Sequence, residues 1–136
     1  MNPELLAEIH AKSFITPRPW SASEFDELLI KDSIFLISEK RSFLLGMLTR
    51  FEAEILTIAV DPINRRIGIA EKLLNEFETL CLNENVEKII LEVAKNNAPA
   101  LMLYEKCGYK IKGERNNYYT SPEGKKITAI VMNKLI

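Results

Sequence analysis

Residues 55–74 read "ILTIAVDPINRRIGIAEKLL", an apolar run joined to an amphipathic pattern by a short basic stretch. The segment "EAEILTIAV" predicts a strand and Asp61-Pro62 a turn. From Arg66 to about Glu84, Ile69, Leu73, Phe77, Leu80 and Cys81 recur every three or four residues, which predicts a long amphipathic helix. A helix that starts in this way leaves its first backbone N–H groups without intrahelical acceptors, here from about Arg66 to Ala70. Those donors suit a phosphate. Gly68 admits close approach of an anion, the small Ala70 keeps the approach open, and Arg65 and Arg66 add charge beside the positive end of the helix dipole. The stretch reads as a pyrophosphate cradle, although a basic helix start after a turn would show the same letters. It is not a Walker loop, because Gly-Lys-Ser/Thr is absent, nor a dinucleotide fingerprint, which needs three glycines.

Working outward, "SIFLIS" and "FLLGMLTR" read as strands joined through polar "EKR", with "EAEILTIAV" as the third strand of the same meander. Before them, "PELLAEIHAKSF" sets Leu5, Leu6, Ile9 and Phe14 near helical spacing, with Asn2 as N-cap and Pro3 at the first helical position. A second short helix opens at "SASEFDELLI", where Ser21 and Glu24 have capping-box spacing, and "TPRPW" must bend between the two. On the other side, "VEKIILEV" is nearly continuous in apolar residues, as in a strand buried on both faces. "APALMLYEKCG" fits a helix ended by Gly108, and "YKIKGERNNYY" and "KKITAIVMNKLI" flank "SPEG" as a closing hairpin. The expected fold is an α/β (α+β) mixture: a mixed sheet with one parallel step, flanked by helices, in one domain spanning residues 1–136.

Composition limits the function classes. With 136 residues, 47% hydrophobic and 27% charged, the chain is long enough for a real core and too apolar for disorder. Eighteen basic against nineteen acidic residues leave a net charge of -1, so no global field draws it to nucleic acid or an anionic membrane. Direct nucleic-acid and membrane binding are therefore not expected, and anion recognition must be local. Cys81 and Cys107 lack the paired spacing of a zinc site and read as reduced, buried thiols, with no metal site. The start, "MNPELLAEIH", carries acidic residues where a signal peptide needs basic ones, and no apolar run reaches membrane-spanning length. A cytoplasmic protein is the expectation.

The string "RRIGIA" matches the Arg/Gln-x-x-Gly-x-Gly/Ala motif of the GCN5-related N-acetyltransferases. "PWSASEF", "TIAVDPINRRIGIAEKLL", "LEVAKNNAPALMLYEKCGYK", "RNNYY" and "AIVM" resemble that family in the same order and at similar spacing, from about Ile9 to Met132. The resemblance implies a GNAT-type, mostly antiparallel central sheet splayed open between the "TIAV" and "LEV" strands, with acetyl-CoA in the gap. It places the pyrophosphate on Arg66, Ile67, Gly68, Ile69, Ala70 and Glu71, and the pantetheine arm on the backbone of Ile58, Ala59 and Val60. Asn97 matches a further coenzyme-binding position. Ligands of open α/β sheets sit beyond the carboxyl ends of the strands at such a gap.

An amine attacks a thioester only when neutral, so a base must take its proton. Glu92, near the carboxyl end of "KIILEV", is the candidate; the plain alternative is a strand-end Glu facing solvent or paired with a lysine. The resemblance assigns it the base. Tyr104 matches the general acid that protonates the departing sulfur, although an aromatic residue on such a helix usually packs a core. Cys107 has no visible activating partner as a nucleophile. His10 reads as a surface or packing residue, while Trp20, Tyr118 and Tyr119 are placed to contact the acceptor or simply to pack.

The resemblance further implies an N-terminal peptide of a ribosomal protein as acceptor, the alanine of small-subunit protein 18. Two departures bear on it: Ile67 replaces a commonly basic or polar residue, and Ile127-Thr128 stands where relatives often carry an acidic pair. Two rivals stay open. One is acetyl transfer to another amine, such as lysine, a polyamine or an aminoglycoside; the other is a non-catalytic acyl-CoA sensor.

Overall fold

Alternating burial along the strands and three-to-four spacing along the helices build one six-stranded sheet with helices on both faces. The structure is a computed structural model that describes residues 1–13, 18–65 and 68–136. In chain order the elements are α1 (Pro3–Ser13), α2 (Ala22–Leu29), β1 (Ile34–Glu39), β2 (Ser42–Leu48), β3 (Glu52–Val60), a 3-10 turn (Pro62–Asn64), α3 (Ile69–Asn83), β4 (Lys88–Ala94), α4 (Ala98–Lys106), β5 (Lys110–Thr120) and β6 (Lys126–Leu135). Phe14, Thr16, Pro17, Arg66 and Ile67 lie outside the described residues.

The helix starts follow the sequence signals. Leu5 donates its N–H to Asn2 Oδ1 at 2.8 Å, and Ser21 and Glu24 close the capping box from both sides at 3.2 Å. One boundary differs: α3 begins at Ile69 rather than Arg66, because Gly68 at its N-cap sits in the left-handed region at φ 80°. The helix closes at Asn83, next to the expected Glu84.

The sheet order is β1-β2-β3-β4-β6-β5, and only β3 and β4 run parallel. Leu44, Ile55, Leu73, Phe77, Leu91 and Met132 belong to the larger core, on the face covered by α3 and α4. Leu6, Ile9, Phe25, Phe43, Leu45 and Ala59 make a second core under α1 and α2. The decisive irregularity lies in β3. Leu45 pairs with Thr57 but Gly46 pairs with Ile55, so Leu56 is an extra residue, a β-bulge. Past it the alternation of β3 changes phase: Ala53 and Ile55 pack in the larger core, as do Ile58 and Val60. The parallel ladder to β4 stops at the same level, its last pair being Ile55 with Leu91. Beyond that point, among the described residues, β3 has β2 as its one strand partner and β4 has β6.

Burial of α1 depends on His10, which is 1% exposed. Its Nδ1 accepts the Trp20 N–H at 3.0 Å, so the neutral ring carries its proton on Nε2 and donates to Thr57 Oγ1 at 3.0 Å. His10 therefore packs, stacked on Trp20 with ring centroids 5.0 Å apart, and is not a surface residue. Cys81 is buried as expected, whereas Cys107 at the end of α4 is only half-buried.

Two outcomes follow from this packing. A side chain at Gly46 would overlap the ring of Phe77, which is fully buried, so Gly46→Val should lower stability by roughly 2–3 kcal/mol in denaturant unfolding. Burial pushes the His10 imidazole down from 6.5 to about 4, while the unfolded chain takes the proton near the ordinary value. The unfolded state then binds more protons between these values, so stability falls as pH drops from about 6.5 to about 4, by a total on the order of 3 kcal/mol. Urea melts across this range should show that loss, and His10→Gln should flatten it.

Candidate active site

The separation of β3 from β4 opens a cleft through the sheet, and the expected residues lie along it. Gly68, Ile69, Ala70 and Glu71 stand at one end, together with Asn64 and Arg65. Lys72 is the first residue of α3 whose N–H reaches an intrahelical acceptor, Gly68 O at 3.0 Å. Among the described residues, the N–H groups of Ile69, Ala70 and Glu71 have no intrahelical acceptor, and they lie at the helix's positive end. Ile69 anchors this turn in the core, and the Glu71 carboxylate is drawn to Lys106 Nζ at 3.2 Å. Among the described residues, this end offers an anion those backbone N–H groups beside Arg65. A Cβ on Gly68 would meet nothing within 4 Å, so glycine is required there by its positive φ. Arg66 and Ile67 lie outside the described residues.

The cavity beside this loop adjoins another that shares Val60, Arg65, Ala70 and Leu103 with it. That second cavity runs on into a third, sharing Ile58, Asn97, Ala100 and Tyr104. Ile58 and Val60 line this path from β3, while Ala59 packs in the second core. The Val60 carbonyl accepts from Ser13 Oγ at 3.3 Å and from Arg65 Nε at 3.2 Å, two contacts that the sequence did not signal. Asn97 caps α4, its Oδ1 accepting the Ala100 N–H at 3.3 Å.

The third cavity brings Glu92 and Tyr104 together, with His10, Trp20, Thr57 and Tyr119 among the residues around them. Glu92 is the first residue of β4 beyond the parallel ladder, and its side chain is 18% exposed. Its Oε1 pairs with Arg115 Nε at 3.0 Å, so the partner is an arginine from β5 rather than a lysine. Arg115 lies at a break in strand register between Arg115 and Tyr119, and its guanidinium stands 5.2 Å over the Tyr118 ring. The two tyrosines divide: Tyr119 lines the cavity and burial pushes its phenol up to about 12, whereas Tyr118 is exposed.

Tyr104 is held by the way α4 ends. Gly108 N–H reaches Glu105 O at 3.1 Å and Tyr109 N–H reaches Tyr104 O at 2.9 Å, the two bonds of a Schellman motif with Gly108 at φ 96°. The motif brings the Tyr109 ring edge-on to Tyr104, with centroids 5.9 Å apart. Burial then pushes the Tyr104 phenol well above its ordinary range, so it keeps its proton at neutral pH and can only donate it. A carboxylate and a protonated phenol facing one cavity, beside a backbone-lined anion site, suit acid–base chemistry on a ligand that carries phosphate. Among the described residues no cluster of His, Cys, Asp and Glu could hold a metal ion, and no helix is long and apolar enough to cross a membrane.

Known proteins share this fold. The chain is 34% identical over 119 residues to a Bacillus subtilis protein provisionally named as a ribosomal protein bS18-alanine N-acetyltransferase, covering 83% of this chain and 78% of the relative. It is 30% identical over 133 residues to the Escherichia coli ribosomal protein bS18-alanine N-acetyltransferase, covering 95% and 89%. The crystal structure of the ribosomal-protein-S18-alanine N-acetyltransferase from Escherichia coli superposes with a TM-score of 0.87 at 27% identity, over 98% of this chain and 87% of that one. Arabidopsis thaliana NAA60 in complex with acetyl-CoA shares the fold at a TM-score of 0.81 and 20% identity, over 100% and 96% of the two chains. The sequence model of the acetyltransferase (GNAT) family matches residues 7–109, from α1 to the end of the α4 cap. By this match and these relatives, the chain belongs to the acetyltransferase (GNAT) family.

Proposed function

We propose that the protein transfers the acetyl group of acetyl-CoA to a protein N-terminal α-amine, that of alanine on ribosomal small-subunit protein 18, by direct attack within a ternary complex in the cytoplasm. The observation that carries the reading is the cavity lined by both Glu92 and Tyr104, continuous through a second cavity with the end of the cleft at Gly68 to Glu71. Acetyl-CoA supplies an activated thioester carbonyl. The N–H groups of Ile69, Ala70 and Glu71 receive the pyrophosphate, with Arg66, Ile67 and Gly68 completing the loop, and the β3 edge at Ile58, Ala59 and Val60 receives the pantetheine amides. Asn97, fixed as the α4 cap, lines the same path.

Glu92 takes the proton of the acceptor ammonium, directly or through water, and the freed lone pair forms the new C–N bond. As the C–S bond breaks, Tyr104 gives its proton to the sulfur, and the extra proton left on the new amide nitrogen passes to solvent or back to the tyrosinate. Much of the rate comes from holding the two reactants in line, so no covalent enzyme intermediate is needed. His10, Trp20 and Tyr119 wall the acceptor side with aromatic surface, which favours a chain end entering past them. An α-amine loses its proton near pH 8, against about 10.4 for lysine, so a single carboxylate prepares it more easily. The bS18-alanine activity named for the E. coli relative supports the same acceptor.

Mass spectrometry after incubation with acetyl-CoA should show modification of a peptide beginning with the bS18 alanine, and little on Lys peptides or spermidine. Modification of only the latter would overturn the acceptor. Glu92→Gln should cut kcat about 10²-fold or more at neutral pH while leaving coenzyme affinity nearly intact. Tyr104→Phe should cost roughly tenfold or more in kcat with the fold retained, read by steady-state kinetics alongside thermal melting. Unchanged kcat in either variant would remove that residue from the chemistry.

A further inference from the structure

The tight turn between β1 and β2 touches the chain on both sides of the phosphate-binding loop. Lys40 and Arg41 both have positive φ, 41° and 54°, as in the turns that let two strands double back in a hairpin. Ser42 pairs with Val60, so the turn sits level with the end of β3, where the loop begins. On the near side, Arg41 Nε donates to Asp61 Oδ2 at 2.9 Å, and the Asp61 N–H donates to Arg41 O at 3.1 Å. Asp61 is 2% exposed, and its other oxygen accepts the Ile63 N–H at 3.2 Å, which folds the 3-10 turn leading into Arg65. Asn64 Nδ2 donates to Lys40 O at 2.6 Å. On the far side, Glu39 pairs with Lys72 Nζ, in the first turn of α3, at 2.8 Å. From α1, Lys12 approaches Asp61 at 3.8 Å and Glu8 approaches Arg41 at 3.5 Å.

A loop whose backbone N–H groups must converge on an anion loses affinity when those groups are free to wander, since the order is then imposed at binding. The cleft holds only a short backbone cradle, so its two ends must be set by neighbours. We infer that the β1–β2 turn is a positioning clamp for this loop: through Arg41 to Asp61, Lys40 to Asn64 and Glu39 to Lys72 it sets the coenzyme affinity without touching the coenzyme. The inference rests on the proposal that Gly68 to Glu71 bind the pyrophosphate. Arg41 is a positioning residue in this scheme. Its guanidinium faces Asp61 and Glu8, and the Ile63 N–H and Arg41 together hold the Asp61 carboxyl below its usual range, so the clamp is ionised at neutral pH.

The test separates the two substrates. Steady-state kinetics of Arg41→Ala, with acetyl-CoA and acceptor peptide varied independently, should show a KM for acetyl-CoA raised roughly five- to twentyfold, with kcat and the acceptor KM within about twofold. Calorimetric titration with coenzyme A should show Kd rising in parallel, and Arg41→Lys should recover part of the loss. Asp61→Asn should match Arg41→Ala, and Asn64→Ala carries the same test if a change at buried Asp61 prevents folding. A lowered melting temperature with coenzyme Kd unchanged in Arg41→Ala and Asn64→Ala would make the turn a brace of the fold and overturn the clamp. Gly68→Val distinguishes the source of such a failure. Coenzyme binding weakened by Gly68→Val alone refutes the clamp and leaves the loop assignment standing, while binding unchanged in every variant refutes both.

Discussion

The extra residue at Leu56 governs this structure. A parallel pair of strands normally keeps its ladder to the end, because each unpaired backbone group must find another partner. Here the bulge turns the second half of β3 away from β4 just after Ile55 and Leu91, and both strands continue with a neighbour on one side only. The cleft between them leaves peptide groups in the middle of the sheet without a strand partner on one side. Such an arrangement persists because the outer pairings, β3 with β2 and β4 with β6, hold each half in place.

Everything functional is arranged around that cleft. The phase change in β3 sets Ile58 and Val60 along the cleft, the proposed coenzyme path, and leaves Thr57 to anchor His10, and through it Trp20, at the cavity beside Glu92. Glu92 falls at the first position of β4 released from the ladder, and Arg115 steadies its carboxylate from β5. Tyr104 arrives from the opposite face on α4, whose end is locked by Gly108 and Tyr109. Glu92 and Tyr104, the proposed base and acid, therefore belong to different elements that meet at the one cavity where the strands part. Side chains held by packing and by helix-end hydrogen bonds keep their geometry better than side chains on free loops.

Much of this was legible in the sequence because it depends on local rules. The caps at Asn2 and Ser21, the Gly108 stop, the "SPEG" turn and the apolar periodicities all act within a few residues, and each element formed where its signal stood. The handover from β3 to α3 was legible around Gly68, although the helix begins three residues later than expected because that glycine is left-handed. The bulge was not legible, since "ILTIAV" is apolar apart from Thr57 and hides a change of phase. For His10 the sequence left surface and packing roles both open, and the structure shows packing, because a lone histidine on a helix says nothing of Thr57 and Trp20, which reach it from elsewhere in the chain. Arg115 was missed because its pairing with Glu92 depends on the order β4-β6-β5, which brings a distant strand within reach.

Amide hydrogen exchange with and without acetyl-CoA tests the central claim, that the parted strands receive the coenzyme. Binding should slow exchange at the amides of β3 beyond the bulge, among Ile58, Ala59 and Val60, and at Ile69, Ala70 and Glu71, while the paired segment from Glu52 to Ile55 stays unchanged. Protection confined to other parts of the molecule, with these amides exchanging at the same rate in both states, would contradict it.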